Sequence, residues 1–125
     1  HLDGFIQGII NFHPGDLPKY RGSTAPEWQV YDDKPVICTC HKIDDRIDSG
    51  PIYSKRKLNV STENYSLFRS SIYPEISNYV VDVVSNLIDM KENKLDFVCQ
   101  NEKDANYNRP IQKNEIQTII KKFKN

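Results

Sequence analysis

FIQGIINFHPGDLPKYRG, residues 5–22, decides how the rest of the chain is read. Its first half is apolar and rich in isoleucine, and predicts a short buried strand near residues 5 to 12. Its second half carries Pro14, Gly15, Pro18 and Gly22, which cannot continue a strand, so HPGDLPKYRGST is a loop. Asn11 and His13 stand where strand turns into loop. Both can hydrogen-bond a developing negative charge, and only Phe12 separates them.

Working outward, APEWQVYDD suits a short helix with Pro26 in its first turn. KPVICTCHKI reads as a strand near residues 35 to 43, with Val36, Cys38 and Cys40 alternating against Ile37, Thr39 and His41. DDRIDSG is a polar loop, and PIYSKRKLNV a second strand near 51 to 60, close to a sheet edge. Ser61 or Thr62 caps a helical region from about 62 to 91, whose apolar face is Phe68, Ile72, Ile76, Tyr79, Val80, Val83, Leu87 and Ile88. Pro74 interrupts that face at a cost of ~3 kcal/mol inside a helix, which predicts a kink or two helical pieces. LDFVCQ is expected to be a short terminal strand, and KNEIQTIIKKF a last amphipathic helix anchored by Ile116, Ile119, Ile120 and Phe123. Strands separated by helices predict an α/β fold.

Composition narrows the function. The 125 residues suit one domain, and 17 basic against 17 acidic residues argue against a sequence-independent phosphate binder and so against nucleic acid. The basic tail KKFKN fits a solvated helix end. No apolar run approaches the ~18 residues of a membrane span, and there is no secretory signal pattern. Cys38, Cys40 and Cys99 are odd in number, which favours reduced thiols in the cytoplasm over a disulfide framework. A zinc site from Cys38, Cys40 and His41 would lack a second ligand pair, so no metal is expected. The sequence starts at His1 rather than Met and enters a buried-looking segment at once, as a fragment or a processed chain would.

In open α/β sheets, ligands bind beyond the carboxyl ends of strands. Asn11 and His13 lie at one such end, and Asp44, Asp45 and Asp48 just past another. An amide and a protonated imidazole can stabilise an oxyanion, and a carboxylate beside the imidazole can raise its pKa and relay a proton. That set suits attack on a carbonyl by a nucleophile the substrate brings, because no serine here has a G-x-S-x-G context. The plainer alternative makes Asn11 and His13 turn and capping residues, and Asp48 a turn former before Ser49-Gly50-Pro51.

INFHPGDLPKYRG followed by IDDRIDSGPIY resembles the 10-formyltetrahydrofolate-dependent formyltransferase family, strongly over residues 9 to 53 and loosely beyond. The family pattern is Asn-x-His-Pro, then Leu-Pro-x-Tyr-Arg-Gly, then Asp-x-Gly after a strand and an acidic loop. The resemblance implies the C-terminal part of a Rossmann-like fold, a mixed sheet flanked by helices, with residues 1–125 the C-terminal portion of a catalytic domain and its N-terminal folate-binding half absent. It implies 10-formyltetrahydrofolate as formyl donor and a small-molecule primary amine as acceptor, reacting through a tetrahedral intermediate. Asn11 and His13, the latter as imidazolium, would stabilise the oxyanion, and Asp48 would orient His13 and move the amine's proton. Ile43, Asp44, Asp45, Arg46 and Ile47 would line the pterin end of the folate. Pro14, Gly15, Lys19, Tyr20, Arg21 and Gly22 would form the substrate-side loop, with Arg21 paired inside that loop rather than on the substrate.

Two departures stand out. The family usually has serine where this chain has Gly15, which predicts a looser loop, and KPVICTCHKID lacks the usual Gly-x-Thr step. Among acceptors, Pro26 and Trp28 after the loop resemble the tRNA and amino-sugar enzymes, and charge balance favours an amino sugar on a nucleotide carrier. Trp28 fits a core position equally well. The alternatives are methionyl-tRNA or glycinamide ribonucleotide formylation, formyltetrahydrofolate hydrolysis, a non-catalytic formyltransferase-like binding module, or an interaction domain using an open strand edge. A second subunit or the N-terminal half is expected to cover that edge.

Overall fold

A computed structural model describes residues 9–89 and 96–123. The expectations for residues 5–8, Met90 and Leu95 lie outside the described residues. Strands β1 (Ile10–His13), β2 (Ile37–Lys42) and β3 (Ile52–Lys57) form one antiparallel sheet in the order β1-β2-β3. Helix α1 (Ala25–Tyr31) lies between β1 and β2 in the chain, and α2 (Tyr65–Asp89) and α3 (Lys113–Lys122) follow β3. The α/β expectation holds. The sheet was expected to be mixed, yet its described ladders are antiparallel, and the parallel pairing is an isolated bridge between Arg21 and Tyr107. None of the described helices is long and apolar enough to cross a membrane.

The two-residue pleat sorts the side chains of the sheet. Cys38 and Cys40 point into the core with Val36, Leu58, and Phe68, Ile72, Tyr79 and Val83 of α2; Ile119 and Phe123 close it from α3 and its end. Phe12 joins from β1, edge-on to Tyr79 at 5.2 Å between centroids, and Phe68 meets Phe123 at 5.4 Å. Burial pushes the Cys38 thiol up to about 12 and the Cys40 thiol up to about 11, so both stay protonated. The other face of the sheet carries Asn11 and His13 opposite His41 and Thr39. His41 therefore points away from the two thiols, and the three groups do not converge.

Two expectations change. Helix α2 runs unbroken through Pro74. Pro74 and Ser70, whose carbonyl loses its helical partner, are both exposed, so water can take that bond, while Phe68, Ile72, Tyr79 and Val83 hold both halves to one core. LDFVCQ contributes one antiparallel bridge rather than a strand, Val98 to Ile52, with N···O distances of 2.7 and 2.8 Å. Beyond it Gln100 turns its side-chain amide to the carbonyls of Asp48 and Gly50, 2.9 and 2.8 Å away, so side-chain bonding replaces the ladder.

Pro74→Ala should raise stability by up to about 3 kcal/mol, and Phe68→Ala should lower it by about 3–5 kcal/mol, both read from urea unfolding midpoints. A destabilised Pro74→Ala variant would contradict an exposed, packing-neutral proline.

Candidate active site

The loop after β1 is fastened by two buried side chains. Gln29 of α1 is fully buried and makes four hydrogen bonds. Its Nε2 donates to the carbonyls of Pro14 at 3.0 Å and Ala25 at 3.1 Å, and its Oε1 accepts from the amides of Asp16 and Ile37, each at 3.1 Å. Thr39 Oγ1, also fully buried, donates to the Gly15 carbonyl at 2.7 Å and accepts from the Leu17 amide at 3.2 Å. Gly15 is buried, and its amide reaches the His13 carbonyl at 2.8 Å. A Cβ there would sit 2.7 Å from His13 Nε2 and 2.5 Å from the Tyr20 carbonyl oxygen. The looser loop expected from glycine is thus a tighter one: removing a side chain lets the backbone pass directly against the imidazole.

That closeness fixes His13. Its Nε2 lies 2.7 Å from the Tyr20 carbonyl, which only accepts, so Nε2 carries hydrogen. Nδ1 then faces Asp48 Oδ1 at 3.5 Å, a gap that one proton can bridge. Asp48 has φ 56°, in the left-handed region that aspartate tolerates. Its Oδ2 accepts from the Gly22 amide at 3.1 Å. Burial is the largest influence on His13 and pulls its pKa below the ordinary value; Asp48 and the Tyr20 carbonyl pull it up, and His41 pulls it down. Desolvation outweighs the carboxylate, so burial disfavours the charged ring in the unliganded site.

Asn11 lies on the same face as His13 and is exposed. Its Nδ2 approaches Nε2 of buried His41, its partner across the sheet, at 3.4 Å. His13, Pro14, Gly22, Ser23, Ile47, Asp48 and Tyr107 line an open depression of about 380 Å³. A second groove of about 350 Å³, floored by Val36, Leu58, Phe68 and Phe123, holds none of these groups.

The remaining sequence-predicted residues divide. In the β2–β3 loop, Ile43, Asp45, Arg46 and Ile47 are exposed. The Asp44 carboxylate accepts from the Arg46 amide at 2.9 Å and the Ser49 hydroxyl at 2.8 Å, and these bonds hold its pKa below the ordinary range. Lys19 lines a different depression, with Asp16, Gln29 and Lys34. Tyr20 is buried, bonds Asp32 through its hydroxyl at 2.7 Å, and serves the site through its carbonyl. Arg21 is buried too, and its partners lie outside its own loop: Glu102 at 2.7 and 3.1 Å and Gln100 at 2.9 Å. The loop's own carboxylate, Asp16, pairs with Lys55, and a distant segment supplies the acidic partner of Arg21. The same segment takes the Arg21 backbone, through Asn106 at 3.0 Å and Asn108 at 2.9 Å. Gly22, at φ 117°, passes so close that a Cβ would meet the Asn108 carbonyl oxygen at 2.4 Å.

The site thus offers an exposed amide donor, a buried imidazole with one nitrogen facing a carboxylate, and an apolar wall from Ile47 and Tyr107, 66% and 60% exposed. Sequence reading overlooked Gln29, Thr39, Gln100, Glu102 and Tyr107, and considered His41 only for zinc. Strand alternation across a known register would have found His41; nothing local marks the others.

Residues 2–73 match the family model described as formyl transferase. The chain is 31% identical over 121 residues to human mitochondrial 10-formyltetrahydrofolate dehydrogenase, covering 94% of this chain and 13% of that protein. It is 31% identical over 81 residues to dTDP-4-amino-4,6-dideoxyglucose formyltransferase of Mycobacterium tuberculosis, covering 63% of this chain and 33% of the relative. Methionyl-tRNA formyltransferases are among the other relatives. The chain therefore spans a third or less of these two curated relatives. In fold it is similar to the crystal structure of the formyltransferase PseJ from Anoxybacillus kamchatkensis in complex with UDP-4,6-dideoxy-4-formamido-L-AltNAc and tetrahydrofolate, at 24% identity and a TM-score of 0.64 over 79% of this chain and 51% of that one.

Two outcomes follow from the geometry. Gln29→Leu strands three backbone groups outside its helix, each worth about 1–3 kcal/mol when buried, so unfolding by denaturant should show a loss of several kcal/mol. In an NMR titration, His13 should have a midpoint below 6.5, and Asp48→Asn should lower it further. Because the folded pKa is depressed, the neutral ring adds stability that is present above the unfolded value near 6.5 and is lost as pH falls through the folded midpoint. A midpoint above 6.5 would reverse that sign.

Proposed function

Because the chain belongs to the formyl transferase family, we propose that it carries the catalytic residues for moving a formyl group from 10-formyltetrahydrofolate to a primary amine, that of an amino sugar on a nucleotide carrier. The observation that carries the reading is the meeting of His13 and Asp48 at 3.5 Å beside Asn11, on one face of the sheet. In this reading residues 1–125 are the C-terminal portion of a catalytic domain, and the rest of that domain completes the folate surface and covers the outer edge of β1. In support, the chain matches about half of PseJ, covering 51% of it. The three cysteines support a cytoplasmic setting.

The β2–β3 loop suits a flat heterocycle. Ile43 and Ile47 expose apolar side chains, and among the described residues the peptide groups of Asp45 and Ile47 have no protein hydrogen-bond partner, leaving donors and acceptors for a ring edge. When bound there, the donor supplies a formyl carbonyl on nitrogen. Asn11 Nδ2–H would donate to the oxygen on which negative charge develops. His13 Nδ1, facing Asp48, would take the proton that the attacking amine sheds and return it to the folate nitrogen as the bond from that nitrogen to the formyl carbon breaks, with the carboxylate supporting the charged ring in between. The amino-sugar acceptor is supported by the Mycobacterium relative and by a charge balance of 17 against 17, without the net positive charge that favours tRNA.

The test supplies 10-formyltetrahydrofolate and, in turn, a nucleotide-linked amino sugar, methionyl-tRNA, glycinamide ribonucleotide or water alone to the full-length protein. Mass analysis should find the formylated sugar; formate released without an acceptor would indicate hydrolysis instead. Asn11→Ala, which removes the oxyanion donor, and His13→Ala, which removes the base, should each lower kcat by on the order of a hundredfold, with folate-analogue binding little changed. Unchanged turnover in folded Asn11→Ala would contradict the role.

A further inference from the structure

We propose that His41 is a positioning residue that sets the direction of the Asn11 amide, an inference that rests on the formyl-transfer reading of the site. His41 is 2% exposed and sits directly across the β1–β2 ladder from Asn11. Its Nδ1 lies 2.9 Å from the Lys42 carbonyl. A carbonyl only accepts, so Nδ1 carries the ring hydrogen and Nε2 presents a lone pair. That lone pair faces Asn11 Nδ2 at 3.4 Å. One N–H of the amide is thereby held, and its NH₂ end is distinguished from its carbonyl end. A free amide on an exposed strand end could turn over and aim its oxygen at the reacting carbonyl, which would repel the charge forming there. Buried His41, shielded from competing water, removes that orientation.

Two measurements on the full-length protein decide it. Long-range proton–nitrogen NMR without substrate should show His41 with a protonated Nδ1 and a bare Nε2, and His41→Phe should shift the Asn11 side-chain amide resonances. In kinetics, His41→Phe should lower kcat by up to about tenfold, the worth of one hydrogen bond, with KM for donor and amine within about twofold. His41→Gln, which restores an acceptor, should recover most of the loss. Added to Asn11→Ala, His41→Phe should cost less than about twofold more. A protonated Nε2, an unmoved Asn11 amide, or a full loss that persists in the Asn11→Ala background would overturn the proposal. If no formyl transfer is found, the preceding reading fails, and the NMR results still decide whether His41 holds the amide.

Discussion

One side-chain amide carries the architecture of the candidate site. Gln29 offers two donors and two acceptor directions, and all four are used, on Pro14, Ala25, Asp16 and Ile37. The loop after β1 needs such a partner. Pro14 and Pro18 have no amide hydrogen, the chain bends too sharply to form a ladder, and buried peptide groups without partners are costly. Gln29 joins that loop to a helix and a strand at once. Thr39 repeats the service from β2. With both in place the loop closes over Gly15 and delivers the Tyr20 carbonyl to His13. Loop packing thus decides which nitrogen of the imidazole bears hydrogen.

Opposing electrostatic effects meet at that ring. Burial favours neutral His13, while the carboxylate favours the charged form. Nδ1 and Oδ1 face each other at 3.5 Å, so the carboxylate offsets part of what burial takes from the ring. Asp48 keeps its part because its left-handed backbone is held from outside, by Gln100 on its carbonyl and by the Gly22 amide on its carboxylate.

Much of this was legible beforehand, because short-range rules govern it. The prolines and glycines ended the first strand within one residue of its end at His13, and Asn11 and His13, one residue apart, share a face as the two-residue period requires. The helix over Tyr65–Asp89 followed from its apolar spacing, although Pro74 was given too much weight, since its cost depends on exposure that spacing does not report. LDFVCQ looked like a strand on composition alone, and only the side-chain bonds of Gln100 show why pairing stops at Val98. Gln29, Thr39 and His41 were illegible for one reason: each reaches a partner 13 to 30 positions away, a backbone group or the Asn11 amide, whose location depends on the finished fold.

The parallel bridge between Arg21 and Tyr107 has a practical meaning for anyone who moves this site elsewhere. Recognisable similarity to the family model ends at residue 73, and every motif residue lies before that point. The hydrogen bonds draw another border. Gln100, Glu102, Asn106 and Asn108 seat the guanidinium of Arg21, its backbone and the carbonyl of Asp48. A transplant or chimera cut at the similarity border would carry all the signature letters and lose the clamp that aligns them. The clamp runs to Asn108 and the core to Phe123, so the segment matched by the family model and the mechanically complete unit end at different places.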